Sequence, residues 1–310
     1  MKKHGIWMIA SVACSLWMGA VHAETGKLLL TGGVSSVDGA AGGGISPWAL
    51  VGTNATDGEA GLSVGVSQLP LPDYRLTTAG LAVAWNNRVE ASFVQQDFNV
   101  GVATQLNALG FGVASGQHIR LNIVGLKARL AGEAILDSDR WMPQIAAGVL
   151  YKQTDSGTIR PVLEFLGASS EGVEAYVAAS KLLLKDSVLL NATLRYTNAN
   201  QGGLLGFGSS ASGASTPRCV PEVSAAYLLS PQLALGAEVR FNPNNLEAPG
   251  ANANLGAGLA ADNWADVFVA WAPSKHWSLT LAYVDLGRIL PAITSNKNQS
   301  GAYLGVQFAL

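Results

Sequence analysis

Cysteine is nearly missing from this chain: its 310 residues hold Cys14 and Cys219 and no others. Cys14 falls in what reads as a removable leader. That leaves no pair for a disulfide framework and no Cys/His set at zinc spacing, so neither a metal nor a cofactor is expected. Charge is scarce as well. Charged residues make up 13% of the chain, about half the usual share, with a formal net charge of −2. A nucleic-acid partner calls for a clustered basic surface, and none is present. Past the leader there is no uninterrupted apolar run approaching the roughly 20 residues of a membrane-spanning helix.

What is there points one way. Apolar residues reach 49% and glycine contributes 36 residues. A chain that is apolar overall but never for long suits strands with one face in lipid and the other in a lumen. Met1-Lys2-Lys3-His4 is followed by an uncharged stretch from Ile6 to Ala20 and then by Val21-His22-Ala23. A basic start, an apolar middle and a small-x-small ending are the anatomy of a secretory signal, expected over residues 1–23 with cleavage before Glu24. The apolar part is short for a spanning anchor. Lipid attachment at Cys14 is not expected, because Ser11-Val12-Ala13 lacks the usual leucine and the apolar run continues past it.

The pattern is plainest in one hairpin near the C-terminus. From Asn263 to Pro273, Ala265, Val267, Val269 and Trp271 alternate with Trp264, Asp266, Phe268 and Ala270. After the turn Pro273-Ser274-Lys275 the chain returns through His276–Leu286, with Trp277, Leu279, Leu281 and Tyr283 on one face. A period of two is a strand with one apolar face, and about ten residues let a tilted strand cross the hydrocarbon layer. The same pattern predicts strands at Glu59–Val66, Tyr74–Trp85, Arg88–Phe98, His118–Leu130, Trp141–Lys152 and Gly172–Leu184. It continues at Val188–Thr197, Val220–Leu229, Gln232–Phe241 and Ser300–Leu310. Short connections such as Asn86-Asn87, Asp137-Ser138-Asp139, Lys185-Asp186 and Ser230-Pro231 alternate with longer ones, the longest being Asn198–Pro217.

The expected fold is therefore all-β: a transmembrane, antiparallel, up-and-down β-barrel of about twelve strands over residues 58–310. Tight turns would lie on the periplasmic side and longer loops outside. Fourteen strands would result if Lys27–Thr31 and Trp48–Val51 also paired. Residues 24–57 form a Gly-rich segment without alternation, read either as a plug in the lumen or as an extra hairpin. Trp85, Trp141, Trp271 and Trp277 lie beside short turns, while Tyr74, Phe98, Tyr151, Tyr196, Phe241 and Trp264 lie by long loops. Two aromatic belts one strand apart fit the two faces of a bilayer. In the last strand Ala302, Leu304, Val306, Phe308 and Leu310 share a face, which resembles the signal that barrel-assembly machinery reads, although the final residue is Leu310 rather than an aromatic.

Four stretches resemble a family of Gram-negative outer-membrane β-barrel proteins classed as a domain of unknown function. They are Leu28–Val34, Pro143–Val149, Pro221–Leu229 and Asp266–Pro273. The resemblance spans nearly all of the chain past the leader. It implies the barrel architecture and the cell outer membrane as location, and it brings no activity and no site residues.

The face opposite the apolar one lists the expected lumen: Glu90, Arg120, Lys127, Arg129, Lys152, Glu174, Arg195, Glu222, Glu238, Arg240 and Asp266. Arg or Lys on the lipid face at mid-depth costs about 2–4 kcal/mol, so the consistent absence of charge from that face sets the parity. In His118–Leu130 the alternation changes phase, which predicts a bulge near Ile123-Val124. Mixed charge in a lumen supports two readings. One is a porin-like pore whose facing charges act on small polar solutes passing passively or by facilitated transport. The other is a closed or plugged structural barrel knitted by ion pairs.

An enzyme is not expected. Beyond the leader the histidines are His118 and His276, which the topology puts at opposite ends of the barrel. Asp97 is expected near the outer rim, where the sequence does not say whether it adjoins His118; a hydrolase also needs a nucleophile within reach, and no Gly-x-Ser-x-Gly elbow exists. Gly202-Gly203-Leu204-Leu205-Gly206-Phe207-Gly208 opens no helix and lacks Lys-Ser/Thr, so it is no phosphate loop. It can fold inward as a constriction or form an outside binding tip. Surface binding is a further alternative, disfavoured by short Gly/Ser-rich loops. The expected partners are the lipid bilayer, the assembly machinery during insertion, and small polar solutes.

Overall fold

Strands with one oily face survive in lipid only when every backbone N–H and C=O is paired, and a closed cylinder achieves this without an edge. The computed structural model describes residues 34–100, 116–135, 140–254 and 257–310. The expected leader, Cys14, the strand at 27–31 and the turn at 137–139 lie outside these residues.

A small two-stranded ribbon comes first, β1 (Val34–Ser35) and β2 (Ala41–Gly42), separate from the main sheet. The barrel follows as β3 (Ala60–Pro70), β4 (Tyr74–Trp85), β5 (Val89–Val100), β6 (His118–Ala131), β7 (Gln144–Asp155) and β8 (Glu171–Leu183). It continues with β9 (Val188–Thr197), β10 (Arg218–Ser230), β11 (Leu233–Arg240), β12 (Trp264–Trp271), β13 (Trp277–Asp285) and β14 (Ser300–Ala309). Each strand pairs antiparallel with its neighbours in sequence, and β14 closes on β3, with Val306 opposite Val66. The barrel therefore has twelve strands and up-and-down order; Trp48–Val51 does not pair into it. No helix among the described residues is long and apolar enough to cross a membrane. Two short ones, α1 (Arg160–Phe165) and α2 (Glu247–Asn252), sit in the β7–β8 and β11–β12 loops.

The turns follow from local chemistry. Asn86 and Asn87 adopt φ of 55° and 46°, the left-handed pair that a two-residue hairpin turn needs. β7 begins at Gln144, three residues later than the alternation suggests. Pro143 has no N–H to give the ladder, and Trp141 and Met142 before it stay exposed.

The outward face is an almost continuous apolar band. Val66, Leu126, Val267 and Leu281 are each more than half exposed, at 60%, 57%, 54% and 52%. Near the short turns, Trp271 meets Trp277 edge-on with ring centroids 5.4 Å apart, and Trp85 and Trp141 are also exposed. At the opposite end Tyr151, Tyr196 and Phe241 face outward. Tyr74, Phe98 and Trp264 do not join this belt. They occupy inward positions of their strands and are buried, with the Tyr74 and Phe98 rings in contact at a tilt of 32° and centroids 4.8 Å apart.

The expected bulge near Ile123-Val124 is absent. Pairing of β6 with both neighbours runs without a break through those residues, and the irregularity lies between Arg129 and Ala131. Unbroken alternation keeps Ile119, Leu121 and Ile123 inward, all buried, and turns Arg120 outward. The phase change in the sequence reflects what fills the barrel. Toward the long-loop end the interior is oily: Ile119, Leu121 and Ile123 pack with Leu163, Leu205, Leu246 and Ile289 from the connecting loops. At that end of β6 the inward face is therefore apolar and the outward face, with His118, Arg120 and Asn122, is polar, whereas further along Val124 and Leu126 face outward.

Leu281 sits midway along β13 with its side chain in the outward band. Leu281→Arg is expected to lower the stability of the barrel refolded in vesicles by about 2–4 kcal/mol, read from urea unfolding. An unchanged midpoint would show that this face does not meet hydrocarbon.

Candidate functional site

A filled barrel interior must satisfy every polar group that it removes from water. The middle layer of the lumen does this with charges from the wall and backbone from the Gly-rich segment. Asp38, the single charged residue between Lys27 and Asp57 in the sequence, stands at its centre. Its carboxylate lies 2.7 Å from Lys152 Nζ, 3.0 Å from Arg195 Nη2 and 3.0 Å from Arg240 Nη1. Lys152 also meets Glu174 at 2.7 Å, and Arg195 meets Glu174 at 2.9 Å and closes on Glu222. Arg195 further lies 5.9 Å from the Tyr176 ring, and Arg240 is 4.9 Å from the Trp264 ring. Burial alone would push the Asp38 carboxyl up. The three cations outweigh that and hold it below its ordinary value.

A second group lies beside the first. Lys127 pairs with Glu90 at 3.1 Å and donates to the Ala41 carbonyl at 3.2 Å. Glu90 accepts the backbone N–H of Ala41 at 3.0 Å and of Gly52 at 2.6 Å. Across the lumen Glu238 accepts Ile45 N–H at 2.8 Å, the Trp48 indole N–H at 3.0 Å and the Ser224 hydroxyl at 2.7 Å. The Ser180 hydroxyl accepts Ala49 N–H at 2.9 Å, and the Gln144 amide donates to Ala49 O at 2.7 Å. Residues 36–53 are thus held from several sides of the wall and are buried apart from Val37 and Gly44, which are partly covered. Glycine permits the approach. A Cβ on Gly43 would stand 2.2 Å from Glu238 Oε1, and Gly39, at φ 87°, would press on Val94 at 2.8 Å.

The inward loop Gly202–Gly208 covers the layer from the long-loop side. Lys152 donates to Gly202 O at 2.9 Å and the Thr154 hydroxyl to Gly203 O at 2.6 Å, while Leu204, Leu205 and Phe207 are buried. On the short-turn side Trp48 and Leu50 pack with Leu182, Leu189 and Phe268. The charged layer is enclosed above and below by apolar ones.

Of the lumen residues expected from sequence, Glu90, Lys127, Lys152, Glu174, Arg195, Glu222, Glu238, Arg240 and Asp266 all lie on the inner face and are buried. Arg129 stands apart at the short-turn rim, bonded to Glu133 and, at 3.4 Å, to Asp57. Arg120 is a correction. It faces outward near the outer end of the barrel, 3.4 Å from Asp97, because β6 carries no mid-strand bulge to rephase it. Asp38 went unassigned in the sequence reading, although a lone acid in an otherwise uncharged Gly-rich stretch was a usable signal.

Among the described residues the outer-rim histidine has polar neighbours but no nucleophile beside it. His118 Nδ1 meets Asp97, and its Nε2 lies 3.2 Å from the Asn99 amide. No hydroxyl or thiol hydrogen-bonds the ring among the described residues. His276 is at the other end, its Nδ1 3.1 Å from Ala309 O. No group of three or more His, Cys, Asp or Glu arranged for a metal occurs among the described residues.

Over residues 31–307 the chain matches the family described as "Protein of unknown function (DUF3034)". No curated protein sequence matches it. Solved structures with a similar course include the NanC porin, with 12% identity and a TM-score of 0.48 over 80% of this chain and 100% of that one. An outer-membrane channel from Pseudomonas putida F1 has 12% identity and a TM-score of 0.44 over 82% and 96%. Outer membrane phospholipase A from Escherichia coli has 12% identity and a TM-score of 0.40 over 81% and 92%.

Removing one member of a buried ion cluster strands the charges it faced, at a cost of about 3–5 kcal/mol. Asp38→Ala leaves three cations facing two carboxylates, so one buried positive charge is uncompensated, and it is expected to lower the urea midpoint of the barrel accordingly. Since folding lowers the Asp38 value, its contribution is complete above the unfolded carboxyl value of about 4 and fades only as pH falls below that. Wild type should therefore hold its midpoint from pH 7 to 5. A wild-type loss in that window, or a neutral Asp38→Ala, would contradict the assignment.

Proposed function

The chain belongs to this family of unknown function, and from the geometry we propose that it is an outer-membrane barrel closed at rest by its own N-terminal segment. Small solutes pass only when that segment shifts. The observation that carries the reading is the occupied lumen: Lys152, Glu174, Arg195 and Glu222 are fully buried, and their charges are spent on Asp38 and on one another. An open polar pore needs wall charges free to act on a solute, and here they act on the segment.

Movement is chemically accessible. The segment is held by hydrogen bonds and ion pairs rather than by strand pairing into the wall, and such contacts exchange for water once it enters. The apolar band and aromatic belts support residence in a bilayer, and the tight turns support the outer-membrane orientation. A permanently closed structural barrel is the second reading, favoured by the complete burial of the charged layer. Among the described residues no nucleophile joins the Asp97–His118 pair, so that pair does not favour hydrolysis.

Single-channel recording in a planar bilayer tests the proposal. Wild type is expected to be mostly silent, with rare discrete openings. Asp38→Ala should raise the open fraction at least tenfold, since it releases three contacts to the wall. Steady wild-type conductance would show that the segment does not close the barrel. Silence in both proteins, with folding intact, would favour the structural barrel.

A further inference from the structure

The charges of the lumen are not spread evenly around its wall. Every charged side chain that points inward from a barrel strand belongs to β5–β12. β13, β14, β3 and β4 lie side by side once the barrel closes. Their inward positions carry Ser278, Thr280, Gln307, Ser63, Ser67 and Thr78, and no charge. The segment follows the same division. Hydrogen bonds from residues 36–50 to the wall run from Gln96 on β5 round to Arg240 on β11. Among the described residues none reaches the uncharged arc. Ser35, where β1 ends, gives its N–H to Gln307 at 3.0 Å.

A seam therefore separates the ribbon β1–β2 from this arc, bordered by Ser36, Gly39, Gly65, Thr78, Thr280 and Gln307. In the closed barrel it admits about 30 Å³, room for about two waters. Glycine keeps it from filling. A Cβ on Gly65 would meet nothing nearer than Val306 O at 3.5 Å and Ser35 Oγ at 3.8 Å, so no close contact demands the glycine there. The Ser36 hydroxyl on the ribbon side is buried without a hydrogen-bond partner, a state few native groups are left in. The ribbon is fastened at its turn through Asp38, whereas Ala41, Ile45, Ala49 and Gly52 have their own anchors on Glu90, Glu238 and Ser180.

We propose that the ribbon, once off its Asp38 tether, swings from the uncharged arc and widens this seam into the path, and that the solute taking it is a neutral, hydroxyl-rich molecule of the sugar type. The inference rests on the opening proposed above. Bonding decides the place, because the stretch after the ribbon stays tied to β5–β11 and little has to break on the other side. Chemistry decides the solute. Serine and threonine hydroxyls and the Gln307 amide both donate and accept, as the hydroxyls of a sugar do. An ion leaving water there would meet no opposite charge.

The test follows release of radiolabelled glucose, gluconate and glucosamine, alike in size and different in charge, from proteoliposomes holding Asp38→Ala. That variant makes the test strict. It uncovers positive charge on the opposite wall, so a path along that wall would favour gluconate. Glucose is expected to leave at least tenfold faster than either charged solute, and wild type, followed for longer, should keep the same order. Gly65→Leu, whose side chain enters the seam, should slow glucose at least fivefold. With Cys219 replaced by serine, Thr280→Cys should let a water-soluble thiol reagent block the conductance of Asp38→Ala. Ala178→Cys, inward on the charged side, should not. Heat-modifiable gel mobility confirms that each variant is folded. Equal rates or faster release of a charged solute would overturn the solute class. Block at Ala178→Cys rather than Thr280→Cys, or an unchanged rate in Gly65→Leu, would overturn the path and leave the closing segment standing. No flux and no conductance in wild type and Asp38→Ala would overturn both.

Discussion

Three cations converge on one carboxylate. Asp38 holds Lys152, Arg195 and Arg240, and through them the charges of β7, β9 and β11 are tied to a single point on the N-terminal segment. Without that carboxylate, three buried positive charges would face only Glu174 and Glu222 in a lumen sealed above and below by oily side chains. The barrel wall and the segment are therefore electrostatically incomplete apart. The rest of the interior, from the inward fold of Gly202–Gly208 to the bonding of Glu90, follows from keeping that layer dry.

The outer and inner surfaces of the cylinder obey different rules, and this governed what could be read in advance. Outside, lipid penalises charge and rewards aliphatic side chains, so the alternation in β4, β9 and β14 stood out and their boundaries were nearly fully legible. Inside, no single solvent applies. The lumen is oily near the loops, charged in the middle and oily again near the turns, so inward residues carry no uniform signature. In β6 that produced a false phase change: Ile119 and Leu121 resembled lipid-facing residues, and Arg120 resembled a lumen charge. The same cause placed Tyr74, Phe98 and Trp264 in an interfacial belt when they cap the interior.

The charged wall residues were legible because a period of two assigns them to a face. Their partners were not, since pairing across a barrel depends on register between strands distant in sequence. Asp38 illustrates the limit. Its Gly-rich surroundings have no periodicity to place it on any face, and its role emerges only when the wall presents three cations within reach. The uncharged arc likewise joins the two ends of the chain, β13–β14 and β3–β4, and exists only once the barrel closes.

Closure of the lumen depends on the Gly-rich segment lying inside the barrel in a membrane. Amide hydrogen exchange in lipid tests this most directly, because Ala41, Ile45, Ala49 and Gly52 each donate a backbone N–H to a wall side chain. Protection of these amides comparable to that of β7 and β9 is the predicted result. Complete exchange within seconds, while the wall strands stay protected, would contradict it.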